Sequence, residues 1–301
     1  MPAPATHRTV HAVITATETL EGAGFKVRRP FPTRPLDHLD PFLLLDEMGP
    51  MELSPGEAKG APDHPHRGFE TVTYLLSGEF VHRDSNGGGG VIRPGQVQWM
   101  TAGAGVVHSE MPSAAFQETG GRMHGFQLWV NLPRAEKLTP PRYQGLGGAT
   151  LPSARSADGL AEIKVIAGEA LGVRAATATH TPILYVHATL QPGGSLSLPV
   201  ARGWNAFAYV FEGRAGVGRD GRIVPSGSMV ILEDDGDQVA LRAEGQAPAQ
   251  ALVLAGRPIG EPVARYGPFV MNTEQELRQA FDDYRSGRMG RIPAEVSRQE
   301  A

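Results

Sequence analysis

The sequence predicts an all-β protein built from two antiparallel β-barrels, with one short helix near the C-terminal end. Three observations favour this fold class. Short apolar runs bounded by Gly and Pro occur along the whole chain, a residue pattern recurs once in each half, and 38 Gly with 25 Pro among 301 residues indicate many turns. A chain of this length is expected to form about two domains, each burying its own core.

The strands are predicted from runs rich in Val, Ile, Leu, Tyr and Phe that end at turn residues. Six such runs are Thr71–Leu76, Gln127–Leu132, Ile183–Leu190, Ala206–Phe211, Met229–Leu232 and Ala251–Ala255. The Gly-rich segment 87–90 could suggest a phosphate-binding loop, but neither a Lys-Ser/Thr pair nor a helix start follows it. We therefore interpret it as a hairpin turn.

A weak internal repeat indicates that one whole domain is duplicated. Tyr74-x3-Gly78, followed by Pro94-Gly95, returns as Tyr209-x3-Gly213, followed by Pro225-x-Gly227, at offsets of 135 and 132 residues. A repeat of this length is a domain rather than a solenoid unit. The segment Arg134–Gly159 is rich in Pro, Gly, Ala and Ser and shows little strand pattern, so the seam is expected there, with domains at 1–140 and 141–301.

One helix is predicted near the end of the chain. Thr273 and Glu276 have the spacing of a capping box. Leu277, Phe281 and Tyr284 follow at i, i+4 and i+7, which places them on one helical face. This helix is expected to pack on a barrel.

Composition excludes several classes of function. There is no Cys, so a disulfide framework, a thiolate zinc site, an iron–sulfur cluster and a cysteine nucleophile are all excluded. The formal charge of −4 and the scattered Arg residues give no basic footprint for nucleic acid. Neither a secretion signal nor an apolar run of membrane-spanning length is visible, so we expect a soluble, cytoplasmic protein with no membrane contact.

Two short pairs of residues carry the predicted chemistry. His64-Pro-His66 and His108-Ser-Glu110 each place two metal-ligating side chains at i and i+2, which share one face of a strand. On neighbouring strands the two pairs would bring three imidazoles and a carboxylate together. That donor set suits a first-row divalent metal such as Fe, Mn, Ni, Co or Cu and leaves positions open for a substrate or O₂.

The spacing of Gly60, His64, His66, Glu70 and Gly78 resembles the first metal-binding motif of the cupin superfamily, and Gly95 to His108 resembles the second. Longer segments are similar to one branch, the pirin family: Asp40–Pro50, Asp63–Tyr74, Gln98–Gly103, His108–Pro112 and Gly267–Asn272. The resemblance implies a bicupin fold of jelly-roll type. It also implies one divalent metal, iron as Fe(II) in this family, in the N-terminal barrel.

Carried over from the family, the metal ligands are His64, His66, His108 and Glu110. The C-terminal barrel is expected to be free of metal, because Pro199, Ala201 and Asn205 occupy the positions of His64, His66 and Glu70 when Tyr209 is aligned on Tyr74. Glu70 is the competing carboxylate, since the general cupin pattern makes it the ligand. We expect it instead to orient an imidazole by a hydrogen bond.

The substrate pocket is the least specified part of the site. Trp99, Met100, Phe126 and Trp129 could wall a flat aromatic substrate or serve as core residues. His124 could line the cavity or be a hydrogen-bonded strand residue. His82 precedes a Gly-rich turn and is expected to face solvent.

The resemblance implies quercetin 2,3-dioxygenase-like activity: oxidative cleavage of a flavonol ring by O₂ with loss of CO. The catalytic base would be Glu110 or Glu70, taking the proton of the 3-hydroxyl. A different class of function is also open, namely a non-catalytic iron protein that reports redox state to a protein partner, as animal members are thought to do with transcription regulators. A sugar- or small-acid-modifying cupin is a third possibility, because fold alone does not fix function.

Overall fold

The computed structural model describes residues 5–146 and 151–293. The strands and the helix of the first half are β1 Val10–Thr15, β2 Thr17–Glu21, β3 Phe25–Phe31, β4 Phe42–Leu53, β5 Ala61–His66, β6 Phe69–Ser77, β7 Phe80–Asp84, β8 Gly89–Ile92, β9 Val97–Thr101, β10 Val106–Pro112, α1 Ala114–Thr119, β11 Gly121–Asn131 and β12 Arg142–Leu146. A short 3-10 turn, Arg134–Glu136, lies between β11 and β12.

The second half contains fourteen further strands and the C-terminal helix. They are β13 Ser153–Arg155, β14 Ala161–Ala167, β15 Glu169–Ala170, β16 Val173–Arg174, β17 Ile183–Leu190, β18 Ser195–Pro199, β19 Asn205–Glu212, β20 Arg214–Val217, β21 Arg222–Pro225, β22 Ser228–Leu232, β23 Gln238–Ala243, β24 Ala249–Gly256, β25 Ala264–Tyr266, β26 Phe269–Met271 and α2 Glu274–Arg285. No helix of the described residues is long and apolar enough to cross a membrane.

Each half is a seven-stranded sheet facing a four-stranded sheet. In the first half the sheets have the orders β12-β9-β6-β11-β4-β3-β2 and β5-β10-β7-β8. In the second half the orders are β1-β22-β19-β24-β17-β14-β13 and β18-β23-β20-β21. The pairings between these strands are antiparallel, which confirms the predicted all-β fold of two antiparallel domains and is the arrangement expected of jelly rolls.

The six apolar runs lie within β6, β11, β17, β19, β22 and β24, apart from Leu132, which directly follows β11. The Gly-rich segment is the β7–β8 hairpin, as predicted. The predicted seam is more ordered than its composition suggested, because β12 and β13 lie inside it. Residues 147–150 of that seam fall outside the described residues.

The two halves exchange chain segments at both ends. Strand β1, the first strand of the chain, pairs with β22 of the second half. The C-terminal segment returns to the first half, where Leu277 and Ala280 of α2 pack with Val107 and Phe269. The Arg67 guanidinium donates to Asp283 over 2.7 Å at the same contact. This return places the 264–271 segment beside the histidines of the first barrel.

Helix α2 begins as the capping box predicts. The Thr273 hydroxyl accepts the Glu276 N–H over 3.2 Å, and the Glu276 carboxylate accepts the N–H of Asn272 over 3.0 Å. The helix packs on the first barrel through its Leu277 face.

Two large cores explain which strand faces are apolar. One core fills the interior of the second barrel with aliphatic side chains, including Leu198, Val210 and Val239. The other lies between the two seven-stranded sheets and joins Phe31, Phe42 and Tyr74 to aromatic residues of the second half. The inner face of the first barrel, in contrast, carries many polar groups.

Candidate metal centre

Three histidines come together on two paired strands of the first barrel. In the antiparallel register of β5 and β10, His108 lies opposite His64 and Val106 opposite His66. The ring centroids are 4.3 Å apart for His64 and His108, 4.7 Å for His64 and His66, and 5.0 Å for His66 and His108. One ligand atom from each ring lies within 4.8 Å of the others, so this group can hold a metal ion.

Hydrogen bonds at the far side of each ring fix its orientation. The Nδ1 atom of His64 donates to the carbonyl of Pro62 over 2.7 Å, and Nδ1 of His66 donates to the carbonyl of Pro268 over 3.2 Å. A carbonyl can only accept, so each Nε2 keeps its lone pair for a metal. The Nε2 atom of His108 is buried and has no hydrogen-bond partner, so its lone pair is available to a metal ion.

The electrostatics favour the neutral, metal-binding form of these rings. Burial, together with the neighbouring imidazoles, lowers the pKa of His66 and of His108 well below the ordinary value. Neutral imidazoles are the form that coordinates metals.

The Glu110 carboxylate lies in the same cavity but is held by polar side chains. Its Oε1 accepts the Thr73 hydroxyl over 2.7 Å, and its Oε2 is 3.5 Å from Nε2 of Gln127. The group of mutually close donor atoms in the described chain consists of the three imidazoles without Glu110. Its role as a fourth ligand therefore stays a prediction.

Glu70 lies on the face of β6 opposite to that of Thr73, which bonds Glu110. In one continuous strand Glu70 would share a face with His64 and His66, but a break at Arg67 and Gly68 separates β5 from β6. The Glu70 carboxylate accepts the Thr101 hydroxyl over 2.7 Å, and burial raises its pKa. The hydrogen bonds found on the ligand imidazoles come from other groups, so the predicted bond from Glu70 is not present.

His82 is buried, so the prediction that it faces solvent is wrong. It is 1% exposed, and its Nδ1 lies 3.4 Å from Nδ1 of His108. It is in β7, where Phe80, His82 and Asp84 alternate inward beside β10. That alternation is the signal that could have placed His82 next to the ligands. Its other neighbours are the Tyr143 ring at 4.7 Å and Asp84, whose carboxylate lies 3.9 Å from Nε2.

Lys137 fixes the turn that follows His66. Its buried ammonium donates to the carbonyl of Gly68 over 2.8 Å, to Oδ1 of Asn131 over 2.8 Å and to the carbonyl of Val270 over 3.0 Å. Burial lowers the pKa of this side chain to about 7. Lys137 thereby ties β6, β11 and the C-terminal segment together behind the histidines.

A cavity of about 620 Å³ opens in front of the histidines, in the range of small-molecule sites. His64, His66, Glu110 and Trp129 line it. The other predicted wall residues lie elsewhere. Trp99 and Phe126 belong to the core between the two halves, and Met100 belongs to a small separate cluster. The Nε2 atom of His124 is hydrogen-bonded to Oε1 of Glu47 over 2.9 Å.

The cavity wall also contains charged residues that sequence reasoning missed. Arg29 holds both oxygens of Asp46, at 2.7 and 2.5 Å, and also donates to Glu21. Burial raises the pKa of Asp46 to about 6 despite this pairing. Arg265 lies over the ring of Trp129. No spacing motif links these residues, because they come from β2, β3, β4, β11 and β25.

Comparison with known proteins agrees with this architecture. A sequence model of the Pirin family matches residues 24–130, and a model of the Pirin C-terminal cupin domain matches residues 185–290. A pirin-like protein of Solanum lycopersicum is 44% identical over 271 residues, covering 90% of this chain and 89% of that protein. Human pirin is 42% identical over 281 residues, covering 92% of each. The crystal structure of a quercetin 2,3-dioxygenase from Acinetobacter baumannii has a TM-score of 0.89 and 39% identity, covering 96% of this chain and 100% of that one.

Proposed function

Because the chain belongs to the pirin family, with a bicupin fold, we propose that it is a metal-dependent dioxygenase that cleaves the ring of a flavonol such as quercetin and releases CO. The observation that carries the proposal is the three-histidine group at the wall of a cavity of about 620 Å³. The Acinetobacter baumannii relative, whose structure is described as a quercetin 2,3-dioxygenase, supports the choice of substrate.

The metal would be held by His64, His66 and His108, with Glu110 as the fourth ligand, and Fe(II) is the ion we propose. Ni, Mn, Co and Cu also accept imidazole and carboxylate donors. When bound, the ion supplies positive charge that stabilises the anionic form of the substrate and a centre for O₂ chemistry.

Glu110 would take the proton from the 3-hydroxyl of the flavonol. The Thr73 hydroxyl lies 2.7 Å from Oε1 of Glu110 and 2.7 Å from Oε1 of Gln127, yet it carries one proton. With Glu110 ionised, Thr73 donates to Glu110. With Glu110 protonated at Oε1, Glu110 donates to Thr73, whose own proton turns to Gln127. Rotation of one hydroxyl thus accommodates both states of the base.

The remaining wall would hold a flat aromatic substrate and keep water away from it. The side chains that line the cavity include six that are apolar: Phe25, Val27, Leu44, Met48, Phe80 and Trp129. Apolar surface of this kind favours an aromatic ring over solvent. Glu70 has no place in this proposal, because its carboxylate is bonded to Thr101 and it is not among the residues that line the cavity.

The test is aerobic quercetin consumption by protein that has been stripped of metal and reloaded separately with Fe(II), Ni(II), Mn(II) or Co(II). We expect consumption to depend on the metal and to disappear in His108→Ala. Full activity in metal-free protein or in His108→Ala would contradict the proposal. A loaded protein that binds metal but leaves quercetin intact would favour the redox-reporting function, for which no protein partner is identified.

A further inference from the structure

Arg265 lies in the cavity wall and forms no ion pair with a carboxylate of the described residues. The Arg265 guanidinium lies over the Trp129 ring, with its Cζ 4.9 Å from the ring centroid. The same indole contacts the His66 ring at 5.1 Å between centroids and is packed against Phe69 on another side. Arg265, Trp129 and His66 all line the cavity. The positive charge therefore lies within about 10 Å of a metal-binding ring.

The nearby carboxylates are already engaged. Both oxygens of Asp46 accept from Arg29, which also binds Glu21. For Arg265 the structure shows one hydrogen bond, from Nη1 to the carbonyl of Leu43 over 2.9 Å. Within residues 5–146 and 151–293 it forms no ion pair. Burial lowers the pKa of Arg265, and the carboxylates near it, of which Asp37 has the largest effect, offset this only in part.

We propose that Arg265 is a specificity-determining residue that binds an anionic oxygen, a carboxylate or an ionised phenol, on an aromatic substrate. The identification of this cavity as the substrate site rests on the function proposed above. A guanidinium offers several N–H donors in one plane, and those not used by Leu43 are free for an acidic group. The aromatic part of the substrate would then lie between Arg265 and the histidines.

Arg29 provides an internal contrast. It lines the same cavity, but its charge is neutralised by Asp46 and Glu21. A substrate anion at Arg29 would have to displace a buried carboxylate, whereas at Arg265 it would displace none. The charge selectivity of the cavity is therefore expected to depend on Arg265.

The test compares equilibrium binding of 2-naphthoate with binding of 2-naphthamide, its neutral analogue of similar shape. Titration calorimetry is done on the full chain carrying its metal, for the wild type, Arg265→Gln, Arg265→Lys and Arg155→Gln. Arg155 is the matched control, because it pairs with Glu162 on the surface of the second half. A charge-assisted hydrogen bond predicts that the wild type binds the carboxylate about 10- to 100-fold more tightly than the amide.

We expect Arg265→Gln to abolish this preference, Arg265→Lys to retain part of it and Arg155→Gln to leave it unchanged. Equal binding of the two probes by the wild type would overturn the proposal. So would a preference that survives in Arg265→Gln, because the anion would then be bound by the metal or by Arg29. If Arg265→Gln fails to fold, the salt dependence of wild-type binding decides: the preference for the carboxylate should shrink as ionic strength rises.

Parallel measurements with phenolate and phenol-ether probes distinguish an ionised phenol from a carboxylate. Since no turnover is measured, a failure of the dioxygenase proposal would show separately, as anion selectivity without quercetin cleavage.

Discussion

Protonation of His187 should destabilise the contact between the two halves. The ring is 5% exposed and lies between Tyr74 of β6 and Gln250 of β24. Its Nε2–H donates to Oε1 of Gln250 over 2.8 Å, so its Nδ1 accepts the Tyr74 hydroxyl, also over 2.8 Å. The bond from Tyr74 requires the neutral ring, because Nδ1 must keep its lone pair to accept it. Burial lowers the pKa of His187 from 6.5 to about 4.

The sign of the pH effect follows from these values. As pH falls below 6.5 the unfolded chain takes up a proton at His187, whereas the folded chain does so only near pH 4. Between these values the unfolded state binds more protons, so falling pH lowers the free energy of unfolding. The loss is about 2 kcal/mol near pH 5 and about 3 kcal/mol near pH 4.

The assay is urea unfolding followed by tryptophan fluorescence, at pH values from neutral to about 4, for the wild type and His187→Gln. Subtracting the two curves removes the other titrating groups. The stability difference between wild type and variant should shift by about 3 kcal/mol against the wild type over this range. Thr189→Val is the matched control: it alters the same strand without a titrating group and should give a pH-independent difference. A pH-independent difference for His187→Gln would mean that the pKa of His187 is the same in the folded and unfolded chains.

Three further predictions follow from contacts around the metal centre. Glu110→Gln should lower quercetin turnover at least ~100-fold while changing metal content far less, because an amide cannot act as the base; elemental analysis and steady-state rates decide, and unchanged turnover would remove Glu110 from that role. His82→Phe should weaken metal binding about 10- to 100-fold, because Nδ1 of His108 loses the imidazole beside it. His82→Asn can still offer an acceptor to that Nδ1, so it should restore part of the metal affinity, measured by competition with a chelator. Lys137→Met should lower the free energy of unfolding by about 2 kcal/mol or more, because the Gly68 carbonyl and two other buried acceptors lose their donor; chemical denaturation measures this, and a neutral effect would mean that water replaces the ammonium.

Much of the fold could be predicted from local pattern alone. Alternating and apolar runs such as Ile183–Leu190 are strands because their side chains bury on a sheet face, and the recurrence of Tyr74-x3-Gly78 at Tyr209 indicated a duplicated domain. The exchange of β1 into the second sheet could not be predicted. Its alternating pattern fits either barrel, and only tertiary packing selects one.

The grouping of His64, His66 and His108 could also be predicted from local pattern. His64 and His66 are two apart in one strand, His108 lies opposite in another, and a two-residue period fixes the shared face. The prediction failed for Glu70 because the turn at Gly68, with φ of +88°, breaks that period. Trp99 and Phe126 were ambiguous because their strands have two buried faces, one toward the metal cavity and one toward the second half.

The contact between Arg265 and Trp129 in the cavity wall could not be predicted from the sequence. Trp129 and Arg265 are 136 residues apart in the chain, and the return of the C-terminal segment to the first barrel is what brings them together. The carbonyl of Pro268, which orients His66, arrives by the same route. Contacts of this kind depend on topology, and no local pattern encodes them.

The dioxygenase that we propose inserts O₂ into a flavonol ring at the histidine centre of the first barrel. Release of CO from quercetin under ¹⁸O₂ by the Fe(II)-loaded protein, with mass analysis of the ring-opened product, tests this. We predict one CO for each quercetin consumed and two ¹⁸O atoms in the product, with neither signal from His108→Ala. Quercetin loss without CO, or a product that carries ¹⁶O from water, would contradict the claim.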